Sequence, residues 1–210
     1  DVEGVYLMKV RTGRNQNNQY AMDDPYGDDA IGDRYIGTFL KGRDKNGTFV
    51  DGAEDLPGYR FVEAIDPKDG KLYRFTAHIE WPGLTDPSYA KDYVRFVLER
   101  EPIAQRTARY GVTYDDISTK EDRDYWIAGS SLKVIDLKTH EVMAERIGYM
   151  MDRGQGNTSG GRAPWLLAAD NACPSFFRNP NLPPNGHGSR AQSRQAQDFV
   201  EKTLKPRLEK

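Results

Sequence analysis

Between Lys71 and Trp81 the chain alternates. Tyr73, Phe75, Ala77, Ile79 and Trp81 fall on one side; Leu72, Arg74, Thr76, His78 and Glu80 fall on the other. A period of two with one apolar side is that of an antiparallel strand packed on one face and wet on the other, a pattern no helix can satisfy. Just before it stands Pro67-Lys68-Asp69-Gly70, in which proline presets the turn and glycine relieves it. Tyr59–Ile65 and Lys71–Trp81 are therefore predicted to form a hairpin. Its register places Tyr73, Phe75, Ala77 and Ile79 on the core and Arg74, Thr76 and His78 on solvent.

A second hairpin is predicted for Trp126–Leu137 and Glu141–Met151 around Lys138-Thr139-His140. Here His140 stands where glycine or asparagine is usual, and it is expected to take the left-handed conformation that histidine tolerates. Gly4–Arg11, Tyr35–Leu40 and Arg109–Tyr114 read as further strands, and Asn46-Gly47 is a strong hairpin turn.

Two helices are predicted. Asp86 with Pro87 opens one in which Tyr89, Tyr93, Phe96 and Val97 share a face, ended by Pro102. The other runs from Ser189 to about Lys205, with Ala196, Phe199, Val200 and Leu204 on one face and Pro206 beyond it. Ser118 with Glu121 suggests a capping box opening the short turn Thr119–Asp124. The expectation is a single α+β domain over residues 1–210. It consists of an antiparallel sheet built of hairpins with one amphipathic helix packed on it, long loops at 12–34 and 152–188, and a C-terminal helix at 189–206.

Composition narrows the function. A net charge of −2 and pI near 6.0 speak against a dedicated nucleic-acid binder held by phosphate contacts. No apolar run is long enough for a membrane-spanning helix. One cysteine excludes an internal disulfide framework and a cysteine-rich zinc site. No cofactor is expected, and the protein is expected to fold without bound metal.

The stretch from Trp126 to Glu145, WIAGSSLKVIDLKTHEVMAE, resembles hairpins of uncharacterised bacterial envelope proteins, periplasmic or lipoprotein-like. Those read strand, Asp, a Thr-Gly-Glu turn, strand; here His140 replaces the glycine. The resemblance covers about a tenth of the chain and implies an envelope setting. Asp1 is not followed by a basic start and an apolar stretch, so no signal peptide is legible. A processed periplasmic or secreted protein is expected, lipid-anchored in one form through an upstream cysteine, with a cytoplasmic protein as the alternative.

Four constellations are candidates for chemistry. Cys173 with His187 and Asp170 has the residue types of a thiol nucleophile with base and orienter, as in a hydrolase. Gly154, Gly156, Gly160 and Gly161 with Arg162 form a glycine loop that could hold an anion, although the spacing fits neither a Walker nor a dinucleotide loop. Trp165, in the apolar block Trp165–Ala169, should pack on the sheet or the first helix and pin that loop. His78 and Glu80 have the H-x-E spacing of a zinc deaminase but lack its P-C-x-x-C partner, so a surface charge ladder is expected. The acidic run Asp23–Asp29 and the turn Asp44–Gly47 are solvated loops rather than calcium sites. The leading expectation is a non-enzymatic envelope protein that binds a protein partner, with Arg162, Trp165, Cys173 and His187 as contact candidates. A hydrolase using Cys173, and a small-ligand or anion binder at Gly154–Arg162, are the alternatives.

Overall fold

The computed structural model describes residues 1–9, 33–41, 58–67, 69–161, 165, 168–175 and 188–207. Among the described residues seven strands make one sheet: β1 (Gly4–Leu7), β2 (Phe61–Ile65), β3 (Leu72–Glu80), β4 (Arg95–Pro102), β5 (Tyr110–Asp116), β6 (Ile127–Asp136) and β7 (Glu141–Met151). Among the described residues three α-helices accompany them: α1 (Asp33–Leu40), α2 (Lys120–Asp124) and α3 (Gly188–Thr203). The content is mostly sheet. Among the described residues no helix is long and apolar enough to cross a membrane.

Both predicted hairpins are present. Gly70 takes φ +68° and donates to the Asp66 carbonyl, while Asp66 donates to Lys71, closing the turn between β2 and β3. Phe75 is buried and His78 exposed, as the alternation requires. At the second turn His140 has φ +61°, the left-handed conformation expected of it. The strand predicted for Arg109–Tyr114 is β5, which starts one residue later and ends at Asp116.

The strand order is β4-β3-β2-β1-β5-β6-β7. The sheet is not wholly antiparallel: β1 runs parallel to both β2 and β5. No hairpin signal could announce this, because a parallel pair joins segments far apart in the chain. One face of the sheet carries the core. Val5, Leu7, Val62, Ala64, Phe75, Val112, Leu132 and Val134 meet Ile36, Phe39 and Leu40 of α1 and Ala196 and Val200 of α3, with Leu204 just beyond. The C-terminal helix is as expected, running from Gly188 to Thr203.

Two predicted elements are corrected. Tyr35–Leu40 is helical, not a strand. Ile36, Phe39 and Leu40 stand at helical spacing and are all buried, and Tyr35 meets Phe39 edge to face at 5.4 Å, one turn on. The sheet's apolar face has to be covered, and these residues cover it as a helix.

Asp86 opens no helix. Its carboxylate accepts from the Ser88 N–H in a local turn, after a short 3-10 turn at Pro82–Leu84, and the chain then enters β4. Tyr89 and Tyr93 stack at 5.3 Å outside any regular element. The helical spacing of Tyr89, Tyr93, Phe96 and Val97 overlaps a strand alternation, Phe96 and Leu98 against Val97 and Glu99. The free edge of β3 decides between them by pairing along its length.

Two boundaries also move. The first strand ends at Leu7, short of the predicted Arg11. The capping box sits one residue later, with Thr119 accepting from the Asp122 N–H at 3.0 Å and Asp122 from the Thr119 N–H at 2.8 Å. The Asn46-Gly47 turn, the Asp44–Gly47 fragment and the acidic run Asp23–Asp29 lie outside the described residues.

The connection from β4 to β5 is the least ordinary part of the fold. The two strands are separated by β3, β2 and β1, about 19 Å at normal strand spacing. Residues 103–109 must bridge that gap, and a chain of that length reaches only about 25 Å. It runs nearly straight across the sheet face opposite α1 and α3, held from below by Glu63 of β2. The Glu63 carboxylate accepts from the Thr107 N–H (2.9 Å), the Ala108 N–H (2.9 Å), the Thr107 hydroxyl (2.8 Å) and Arg74 (3.0 Å). Just before Thr107, Arg106 lies over the Tyr6 ring of β1.

Where β5 and β6 meet, Arg109 donates to Asp136 through Nε (3.0 Å) and Nη2 (2.6 Å), and the Lys138 N–H donates to the same carboxylate. Arg109 first, and then that backbone bond, hold the Asp136 carboxyl down at about 2 from its ordinary 3.8. A carboxylate with a depressed folded pKa stabilises above its unfolded pKa and loses that contribution as pH falls towards the folded value. Asp136→Asn should therefore melt below the parent at neutral pH. The gap should close as pH falls from about 3.8 towards 2, where the parent's carboxylate is also neutralised. Melting temperatures of both proteins across that range check this; a gap constant with pH would contradict it.

Candidate functional site

At one end of the β6–β7 hairpin the chain builds a corner from three segments. Tyr125 ends α2, and Trp126 turns the chain into β6 with φ +58°. Beyond β7, Asp152 is almost fully buried, and its N–H donates to the Trp126 carbonyl at 2.9 Å. The Asp152 carboxylate organises the loop beyond it, accepting from the N–H groups of Gly154 (3.0 Å), Gly156 (3.3 Å) and Trp165 (3.2 Å). Gly156, at φ +75°, rests against the Trp126 indole. A Cβ added there would lie 2.0 Å from the ring, so the position is closed to any other residue.

The contacts continue outward. The Trp126 and Trp165 rings lie 5.2 Å apart, and the Arg123 guanidinium sits 5.6 Å from the Trp165 centroid. Arg123 also pairs with Asp116. Burial opposes ionisation of Asp116, but the Ser118 hydroxyl and N–H and then Arg123 outweigh it and lower its pKa. The corner thus has a buried anion at its base, two indoles in tilted contact, and a cation held in place at its rim, with Tyr125 exposed beside it.

Three non-glycine residues here, Trp126, Gln155 and Trp165, have left-handed backbone, at φ +58°, +46° and +67°. Each such conformation costs on the order of 1–3 kcal/mol, and they cluster where a surface is shaped for contact.

The sequence candidates fare differently. Trp165 is anchored, through Trp126 and Asp152. Arg162 and His187 lie outside the described residues, as do Leu166, Leu167 and the side chain of Asp170. Cys173 is exposed, and its backbone exchanges two hydrogen bonds with Tyr149 (2.8 and 2.7 Å), extending the edge of β7 by one bridge. In the glycine loop the amides of Gly154 and Gly156 point at Asp152, so the protein's own carboxylate takes the place an anion would take.

His78 and Glu80 form part of a surface ladder. His78 contacts Glu80 at 3.2 Å and Glu99 at 3.5 Å, and Glu80 pairs with Arg95. Arg74, on the same face, is drawn to Glu63 instead. Among the described residues no group of His, Cys, Asp or Glu side chains is arranged to hold a metal ion.

Arg123, Trp126 and Asp152 escape a reading by motif. One signal is present in the sequence: an aspartate directly before Arg153-Gly154-Gln155-Gly156 is placed to accept from the backbone ahead of it, as turn-forming Asp does. The chain matches no family model, no curated protein and no solved structure.

Proposed function

We propose that the protein is a non-enzymatic binding protein of the bacterial cell envelope, periplasmic or secreted, which engages a protein partner through the Trp126–Trp165 corner. The observation that carries this reading is the cluster of left-handed residues around Asp152, which holds two indoles and Arg123 at the surface end of a hairpin. Trp, Tyr and Arg are the residue types that supply most binding energy at protein interfaces. The filling of the glycine-loop amides by Asp152 favours an aromatic contact over anion binding. The envelope setting is supported by the hairpin resemblance and by the long polar run at 12–33.

The test places a photo-crosslinking amino acid at Tyr125, exposed beside the corner, and in a separate variant at Leu84, exposed in the turn before β4. Crosslinking in intact cells is expected to yield a discrete adduct from position 125, lost on adding Trp165→Ala, and none from position 84. Equal yields from both positions, or none from 125, would overturn the assignment.

A further inference from the structure

Among the described residues β4 is the end strand of the sheet, and its outer edge pairs with no described strand. An exposed edge of eight residues is an invitation to pair with another chain, and the question is which chain it fits. The phase of its hydrogen bonding is fixed by the Ile103 N–H, which donates to Leu72 at 3.0 Å. Counting back in the register, Arg95, Val97, Glu99 and Glu101 bond inward to β3. Phe96, Leu98 and Arg100 therefore direct their N–H and C=O groups outward. Pro102 shares that outward phase, where a missing N–H costs the sheet nothing.

We propose that β4 pairs antiparallel with β4 of a second copy of this chain about a two-fold axis through Leu98. About that centre RFVLEREP sets opposite charges against each other at its ends, and Val97 lies against the partner's Glu99. Leu98 meets the partner's Leu98, and Phe96 meets the partner's Arg100, in both cases between residues whose backbone groups point outward, so each match is a mutually hydrogen-bonded pair. On the opposite face Arg95 meets the partner's Glu101, and Glu101 meets the partner's Arg95. Each match keeps its side chains on the same face of the joined sheet, as antiparallel pairing demands. Glu101 has no charged partner among the described residues, and Arg95 is only half-buried against Glu80. The core also stops short at this edge: Ala77, Phe96 and Leu98 pack against it yet remain partly exposed. A second copy would cover them, with α1 of both copies on the same side of the joined sheet. Because the contact is isologous, it closes as a dimer and propagates no further.

Light scattering on the eluting protein, over a concentration series reaching the sub-millimolar range, tests this. The parent is expected to run as a dimer. Glu101→Arg sets like charges opposite each other twice, and so does Arg95→Glu; each is expected to weaken dimerisation roughly tenfold or more. An equimolar mixture of the two variants restores both ion pairs and is expected to recover a heterodimer of parental affinity. Leu98→Pro removes an outward N–H and should give a folded monomer with unchanged circular dichroism. A parent that stays monomeric, single variants that dimerise like the parent, or a mixture that fails to recover the dimer would each overturn the proposal.

Discussion

Phe75→Ala should lower stability by about 3–5 kcal/mol, the usual cost of deleting a buried aromatic side chain. Phe75 is 1% exposed in the middle of β3, opposite Val62 of β2 and in contact with Tyr73, whose ring centroid is 6.3 Å away. The cavity left would be lined from two directions, by the sheet below and by the helices above, and neither can move in without breaking strand pairing. The control is one residue along the strand. Thr76→Ala faces the other side and should cost within about half a kcal/mol. Urea unfolding of the two variants measures the difference directly. A small loss at Phe75 with a large one at Thr76 would mean that β3 is slipped by one residue, because a single-residue shift exchanges its two faces.

That register is legible in the sequence because everything that sets it is local: the alternation of Tyr73, Phe75, Ala77 and Ile79, and the turn ending in Gly70. The same holds for the second hairpin, where His140 announces its own backbone conformation. The illegible elements depend on partners distant in sequence. Ile36, Phe39 and Leu40 suit a strand or a helix equally well in so short a segment, and the bare apolar face of the sheet chooses the helix. Phe96 and Leu98 fit a helix because Tyr89 and Tyr93 stand at matching intervals, yet the open edge of β3 draws them into a strand. The parallel pairing of β1 with β2 and β5 leaves no mark at all.

The corner obeys the same division. Trp165 stands out as too apolar to float, but its neighbours are 39 residues back at Trp126 and 13 back at Asp152. The spacing between them carries no periodicity to read. Arg123 reads as one charge of a short polar turn until the fold sets it against an indole.

Replacing Glu63 should cost as much as replacing Phe75, for a different reason. Glu63→Ala is expected to destabilise by about 3–5 kcal/mol, the loss found when one partner of a buried charged network is removed. Glu63 is fully buried, and burial by itself opposes its ionisation. The bonds from the Ala108 N–H, the Thr107 hydroxyl, Arg74 and the Thr107 N–H together outweigh that and lower its pKa below the ordinary 4.5. Removing the carboxylate strands two backbone N–H groups of the segment that crosses the sheet, and frees that segment where it has little length to spare. Glu63→Gln separates charge from shape. All four groups around the carboxylate are donors, so wherever the amide NH2 points it faces another donor. The glutamine variant should keep the volume yet still lose about 1.5–3 kcal/mol, the worth of a hydrogen bond to a charged group. The lowered pKa sets the sign of the pH dependence: the contribution is complete above about pH 4.5 and declines as pH falls through the folded value. In acid, parent and Glu63→Gln should therefore converge. Hydrogen exchange locates the effect, since the Thr107 and Ala108 amides should lose protection first in both variants. Intact protection at those amides in Glu63→Ala would show that the crossing segment is held by something other than Glu63.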